Sequence, residues 1–462
     1  MRHTALAALA LLALVTAPRA RADLPPGPLP RVEPAPACVP GSTVRGELAA
    51  GTPRAYRALD AWERAWSPDA LDRVLLDASD IARLNGRNMD RPETWQDVIA
   101  ADRDLGRVEA ELGDRFAHLR EAFVGGGLVE DVVGSFGASQ TLARAATPVD
   151  ELRVVVHPVD LRCVPSHGGF FRRPIDRDFD RNQCAELHPG ELVRVALVSP
   201  DGRWQYVHAG HAVGWLEDAT LTPPLSPAAA RAYRDDGARA VVVDDWVETA
   251  APDLYLRLGT DLPLLGRDDD VGGAWVLAPS ALGLEPLWVP DASGLHEGFL
   301  PLTRRNALAL VTARMGDPYG WGGVGGGRDC SRLLLDVMAT FGVRLGRHSS
   351  VQAGSGALTR DVAGLSDEAK LAAIHQAGQL GVVFLYMPGH IMLYLGELDG
   401  RPWAASAISE YLVPCAGGGR ETVRLDKVEV TTLELGRGTE RTAFIERIAT
   451  LAVFGTGPGP SP

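Results

Sequence analysis

The sequence has 462 residues, 46% of them hydrophobic and 23% charged, and a net charge of −13. That length exceeds one hydrophobic core and predicts two to four domains, while the composition excludes a disordered chain and a membrane-embedded one. The acidic balance repels nucleic acid and anionic lipid, so neither is expected as a partner.

The chain opens on a predicted export signal. Arg2 precedes the apolar run Ala5 to Val15, and Ala20-Arg21-Ala22 supplies small residues at a cleavage site. A run this short reads as a cleaved secretory peptide over residues 1–22 and not as a spanning helix. No later run is long enough to cross a bilayer, so the mature chain is expected to be exported, periplasmic or secreted. Residues 23–50 are proline-rich and read as a linker or a strap lying on the surface.

Residues 51–148 read as a helical domain. SPDALDRVLLDASDIARLN predicts one helix, with Ser67 as N-cap and Leu71, Val74, Leu75 and Ala78 on one stripe. DRDLGRVEAELGDRFAHLREAF predicts a second. Short β-like runs then begin. ELVRVALV and WQYVHAGHAVGWLE, punctuated by Pro189-Gly190 and Asp201-Gly202, predict a small barrel over 149–222. RAVVVDDWVET, DLYLRLGTDLPLLG and GAWVLAP predict another over 223–298.

The last domain, 299–456, starts with a helix capped by Thr303 that carries Leu308, Val311 and Met315 on one face. The glycine-rich loop GWGGVGGG leads into RDCSRLLLD, a helix with Leu334, Val337, Met338 and Phe341 on one stripe. VVFLYM and HIMLYLG read as strands joined by the Pro388-Gly389 turn, and ETVRLDKVEV adds another. Helices followed by an antiparallel sheet predict an α+β domain. Residues 457–462 read as a flexible tail.

Export permits disulfides, and there are five cysteines: Cys38, Cys163, Cys184, Cys330 and Cys415. None has zinc-ligand spacing, so no metal and no other cofactor is expected. Cys163 and Cys184 share a short segment and form the natural first pair. Cys38 and Cys415 can form the second, which the sequence leaves open, and Cys330 is then the unpaired thiol. A cysteine at the first turn of a helix is acidified by the helix dipole, and backbone N–H groups there can hold an oxyanion. It needs an imidazole to take its proton. Of eleven histidines, His390 is best placed, at a strand start after a Pro-Gly turn. His348 and His375 read as surface residues, and His208 and His211 as strand residues of the first barrel.

The segment GDPYGWGGVGGGRDCSRLLLDVMATFGVRLGRHSSVQA resembles the catalytic motif of the NlpC/P60 family of cell-wall cysteine peptidases. The matching residues are Tyr319, Trp321, Gly322, Gly323, Asp329, Cys330, Ser331, Gly342, Leu345, Arg347 and Ser349, and PGHIMLYLG resembles the base-bearing strand. DFDRNQ with GRWQYVHAGHAVGW is similar to a bacterial SH3-like domain, HEGFLPLTRRN resembles the linker out of a second one, and the helical N-terminus resembles a stabilising domain. The resemblance implies a papain-like core with Cys330 as nucleophile, His390 as base and Tyr319 beside the oxyanion. Asp329 and Ser331 would hold a substrate amine, with Trp321 also at the substrate. The implied substrate is a peptidoglycan stem peptide or muropeptide, cut between γ-D-Glu and the diamino acid, in a cleft that the first SH3-like domain walls off.

Three positions depart from the family pattern. Ser406 stands where the family usually has a third residue, most often His; Arg332 replaces a small residue, and Gly346 a proline. Serine can accept a hydrogen bond from the imidazole but brings no charge. Arg332 is expected to crowd or reshape the cleft. Two other readings stay open: a weak or inactive wall-peptide-binding relative, and a papain-like amidase or acyltransferase.

Overall fold

The structure is a computed structural model that describes residues 35–91, 93–100 and 105–456. The expected signal segment, the first part of the proline-rich stretch and the C-terminal tail lie outside these residues. Among the described residues no helix is long and apolar enough to cross a membrane.

The C-terminal domain is built on a seven-stranded sheet. Its order is Thr43–Arg45, Arg420–Thr432, Arg401–Pro414, His390–Leu398, Val382–Met387, Thr450–Phe454 and Leu358–Asp361. All pairings are antiparallel except the first, where Thr43–Arg45 runs parallel to Arg420–Thr432. The helix Cys330–Ala339 lays Leu333, Leu334, Val337 and Met338 against Phe384, Ile391, Leu393, Ala405 and Val430 of that sheet. Each fully buried leucine of this kind contributes roughly 1.5–3 kcal/mol. The position of the helix is therefore set by packing along its whole length, and its first turn is delivered to the start of the His390 strand.

Among its described residues, the helical stretch 51–148 has no core of its own. Tyr56, Trp62, Leu71, Leu75, Leu76 and Leu84 are buried in the same cluster as the cysteine helix. Val108, Leu112, Phe116 and Leu119, from the helix Leu105–Val124, pack with Trp204, Tyr206 and Trp215 of the first β-module. The two halves thus serve different neighbours.

The helix expected after Ser67 is broken. Ser67 caps Pro68–Asp72, then Val74–Leu76 is a strand, and Asp77 caps a new helix, Ala78–Met89, through a capping box with Asp80. The break exists because Leu76 pairs with Leu302 and Val74 with Thr303 in a two-stranded ladder. A strand partner 226 to 229 residues away overrides the local apolar stripe, and Asp77 restarts the helix by satisfying its free N–H groups.

The first β-module is a six-stranded antiparallel sheet ordered Thr147–Val154, Leu192–Val198, Trp204–Ala209, Val213–Glu217, Val159–Arg162 and Gln183–Leu187. A second, five-stranded sheet runs Gly283–Val289, Gly273–Ser280, Asp261–Asp268, Arg239–Val242 and Leu295–Glu297.

Both disulfides form as Cys163–Cys184 and Cys38–Cys415, and Cys330 is free and buried. Cys38–Cys415 joins positions 377 residues apart and fastens the strap beside the strand it extends. Closing so long a loop restricts the unfolded chain strongly. The double substitution Cys38→Ser with Cys415→Ser is expected to lower stability by about 2–4 kcal/mol, read as a reduced Tm in calorimetry. An unchanged Tm would show that the parallel strand pairing holds the strap without the covalent link.

Candidate active site

Cys330 occupies the first position of its helix because Asp329 caps it. The Asp329 carboxylate accepts from the Arg332 backbone N–H at 2.9 Å. It is also held by Arg347, whose two terminal nitrogens donate at 3.0 and 2.6 Å, by the Gly322 N–H at 3.0 Å and by the Ser331 hydroxyl at 3.1 Å. A buried carboxylate survives only when so many donors meet it, and the Arg347 guanidinium keeps its pKa below the usual range against the pull of burial. Ser331 is fixed as well, accepting from Arg347 at 2.8 Å. The three residues Asp329-Cys330-Ser331 are thus set rigidly at the rim of the cleft.

The thiol itself is 9% exposed. Burial, and then the Asp329 charge, push its pKa up to about 12, while backbone N–H groups of Ile391 and Ser331 and the Arg347 charge oppose that rise. His390 begins its strand after the Pro388-Gly389 turn, and its Nε2 lies 3.0 Å from the Ser406 hydroxyl. Burial and then the Arg447 charge bring its pKa down to about 4. Burial thus disfavours the charged form of both groups. Ser406 is fully buried behind the ring. Its register partner across the sheet is Glu429, also fully buried and ion-paired with Arg57 at 3.5 Å.

Cys330 and His390 line one cavity of about 500 Å³, together with Tyr319, Trp321, Asp329 and Ser331. Its other wall comes from the first β-module: Phe179, Arg181, Gln183 and the Cys163–Cys184 disulfide. Arg181 stacks over the Trp321 ring at 4.0 Å, and Phe179 meets the same ring edge-on at 5.5 Å. The glycine-rich loop fits under this wall. Gly322 and Gly323 have φ of 68° and 95°, and an added Cβ at Gly322 would lie 2.4 Å from Gln183, or at Gly323 2.7 Å from Glu186. Glycine is required there by both the backbone conformation and the neighbouring module.

Arg332 does not enter the cleft, contrary to expectation. It turns to the opposite side of its helix, pairs with Asp336 at 2.7 Å, and donates to the Glu186 carbonyl at 2.5 Å and the His188 ring at 2.6 Å. Asp336 also receives Arg328 at 2.8 Å, and Arg328 reaches Asp245 at 2.5 Å. Arg257 donates to Asp245 at 2.6 Å. This buried lattice bolts the cysteine helix to both β-modules. The position is charged because it faces another module and not solvent or substrate.

The α+β domain thus carries a papain-like cleft lined by a free cysteine and a histidine, with a β-module as one wall. Residues 316–400 match the NlpC/P60 family, and residues 169–217 match an SH3 domain of the SH3b1 type, so the chain carries both domains. Among solved structures, it is similar to one reported as a novel NlpC/P60 endopeptidase from Photobacterium damselae subsp. piscicida. That likeness has a TM-score of 0.70 at 14% identity and covers 90% of this chain and all of the other. An NlpC/P60 family protein from Bacillus cereus ATCC 10987 matches at 17% identity and a TM-score of 0.43, over 65% of this chain and 99% of that one. No curated protein matches the sequence. The C-terminal domain therefore has a peptidase-like fold compatible with peptidoglycan hydrolysis.

Cys330, His390, Tyr319, Trp321, Asp329 and Ser331, the residues expected at the site, all line the cavity, with Ser406 directly behind His390. Two further lining residues carry no sequence signal of their own: Arg181, although DFDRNQ contains it, and Arg447, which lies beyond the family match and in no motif.

The lattice has a pH consequence. Glu186 is pushed up to about 7, by burial first and against the charges of Arg332 and Arg257. An acid with a raised folded-state pKa favours folding below its ordinary pKa, and that contribution is lost as pH rises to about 7. Urea unfolding should therefore show the wild type losing stability relative to Glu186→Gln between about pH 5 and pH 8. Parallel stability curves for the two proteins would refute the shift.

Proposed function

We propose that the protein is an exported cysteine endopeptidase hydrolysing the γ-D-glutamyl–diamino acid bond of peptidoglycan stem peptides. The observation that carries this reading is an unpaired cysteine at a capped helix start, in one cavity with a histidine whose Nε2 is held by Ser406. With Nε2 engaged by Ser406, Nδ1 is the nitrogen left to take the thiol proton. Proton transfer accompanies attack of the Cys330 sulfur on the carbonyl carbon, because neither partner is charged beforehand.

The developing oxyanion would be met by N–H groups at the start of the cysteine helix and by Tyr319. Burial raises the Tyr319 pKa, with Asp329 and Cys330 adding to the effect, so its hydroxyl keeps the proton it would donate. The imidazolium then protonates the leaving amine, and His390 activates the water that hydrolyses the thioester. Asp329 and Ser331 line the end assigned to the substrate's free amine. The Asp329 oxygens are already taken by five donors, so it offers that amine its charge more than a vacant lone pair.

The uncharged Ser406 favours a second reading, a weak relative that binds wall peptides without cutting them. Purified mature protein incubated with L-Ala-γ-D-Glu-diaminopimelate, beside Cys330→Ala, separates the two by mass spectrometry. Release of L-Ala-D-Glu by the wild type alone is expected; an intact peptide with a folded protein would leave only the binding reading. Ser406→Ala is expected to lower kcat by roughly 10- to 100-fold, as loss of a residue orienting an imidazole does. An undiminished kcat would remove Ser406 from the machinery.

Because the resting pair is neutral, alkylation of Cys330 by iodoacetamide in the empty cleft should climb steadily through about pH 6 to 8 without a plateau. A plateau in that window would mean a preformed thiolate–imidazolium pair.

A further inference from the structure

The cavity's charge does not balance. Four arginines line it, Arg181, Arg347, Arg441 and Arg447, with two carboxylates, Asp329 and Glu410. Arg347 is neutralised by Asp329 at 2.6 Å, and Arg441 pairs with Glu410 at 2.9 Å. Arg181 and Arg447 face no carboxylate among the described residues, and the Nε of each is buried without a hydrogen-bond partner. Two uncompensated guanidiniums thus point into the cleft of a chain whose net charge is −13. Burial lowers the pKa of both, helped by the like charges of Arg172 and Arg441 respectively, as expected for cations that lack an anion.

The two sit beside different groups of the site. Arg181 stacks on Trp321, whose loop donates from Gly322 to Asp329, the end assigned to the substrate amine. Arg447 lies over Phe444 at 5.3 Å, and the Phe444 ring is 5.8 Å from that of His390. His390 delivers the proton to the leaving amine, so a group beyond it meets the leaving half of the substrate. Arg181 then answers the free α-carboxylate of a γ-linked glutamate, and one positive charge remains for the residue that departs.

We propose that Arg447 reads the diamino acid by pairing with the carboxylate at the far end of its side chain, so that the cleft takes diaminopimelate-type stems in preference to lysine-type stems. The proposal rests on the peptidase reading above. A lysine side chain ends in an ammonium alone, which offers Arg447 no anion at that end and adds a like charge near it. A diaminopimelate side chain ends in an ammonium and a carboxylate on one carbon, and the carboxylate suits a planar guanidinium.

The test compares kcat/KM for L-Ala-γ-D-Glu-meso-diaminopimelate and L-Ala-γ-D-Glu-L-Lys, both amidated at the α-carboxyl of the diamino acid, in the wild type, Arg447→Gln and Arg447→Lys. The wild type is expected to favour the diaminopimelate peptide by about tenfold or more, the worth of one charged hydrogen-bonded pair. Arg447→Gln should bring the ratio close to one, and Arg447→Lys should restore part of it. Removing Arg447 also alters the basicity of His390, but that acts on both peptides alike and cancels in the ratio. A diaminopimelate peptide amidated at the distal carboxyl needs no variant: the wild type should treat it like the lysine peptide. Equal turnover of all peptides by the wild type, or a preference that survives in Arg447→Gln, overturns this proposal and leaves the peptidase reading standing. Turnover of none of them by the wild type overturns both.

Discussion

Two buried aspartates, Asp245 and Asp336, hold the molecule in register. Between them they gather Arg257, Arg328 and Arg332 at 2.5 to 2.8 Å, in a region where every one of these side chains is almost wholly hidden. Such a lattice adds little net stability, because desolvating the charges offsets most of their attraction. Its worth lies in direction. Apolar surfaces tolerate sliding, whereas a guanidinium shared between two carboxylates does not. Arg328 stands at the end of the glycine loop and two residues before Cys330, so its two carboxylates fix where the loop ends and the Cys330 helix begins.

The glycine loop shows the same dependence from the other side. Its glycines lie within the NlpC/P60 match, yet what presses on Gly322 and Gly323 is Gln183 and Glu186 of the SH3-type module. Loop, β-module wall and cysteine helix form one continuous contact. The cleft is consequently a product of two domains, and its shape on that side is set as much by Arg181 and Phe179 as by the C-terminal domain.

Most of the site was legible in the sequence because it depends on short-range features. Asp329 as a cap, Cys330 at a helix start and His390 after a Pro-Gly turn are each decided within a few residues. Ser406 is placed by the family resemblance, at the position that follows the base-bearing strand. What escaped depends on distant partners. Val74–Leu76 leaves its helical stripe to pair with Leu302–Thr303, and the strap around Thr43–Arg45 becomes an edge strand through a neighbour near residue 423. Arg332 looked like an intruder in the cleft because no local rule says which side of a helix faces another domain. Arg447 had no motif around it, and only the folded chain brings it beside His390.

The seven-stranded sheet joins strands from both ends of the described chain, with Cys38 clasped to Cys415 across 377 residues. Trp62 and Leu84 fill the core that Phe384 and Phe454 complete. During synthesis the first of these segments must wait, apolar and unpartnered, until almost everything else has emerged. Contacts of such sequence separation make folding slow and leave intermediates with exposed surface. A fragment cut to the borders of the catalytic family match would lack Trp62, Leu71 and Leu84, and would meet water with an open core. The C-terminal domain and the segment that precedes it share one core, so in this chain neither closes its apolar surface without the other.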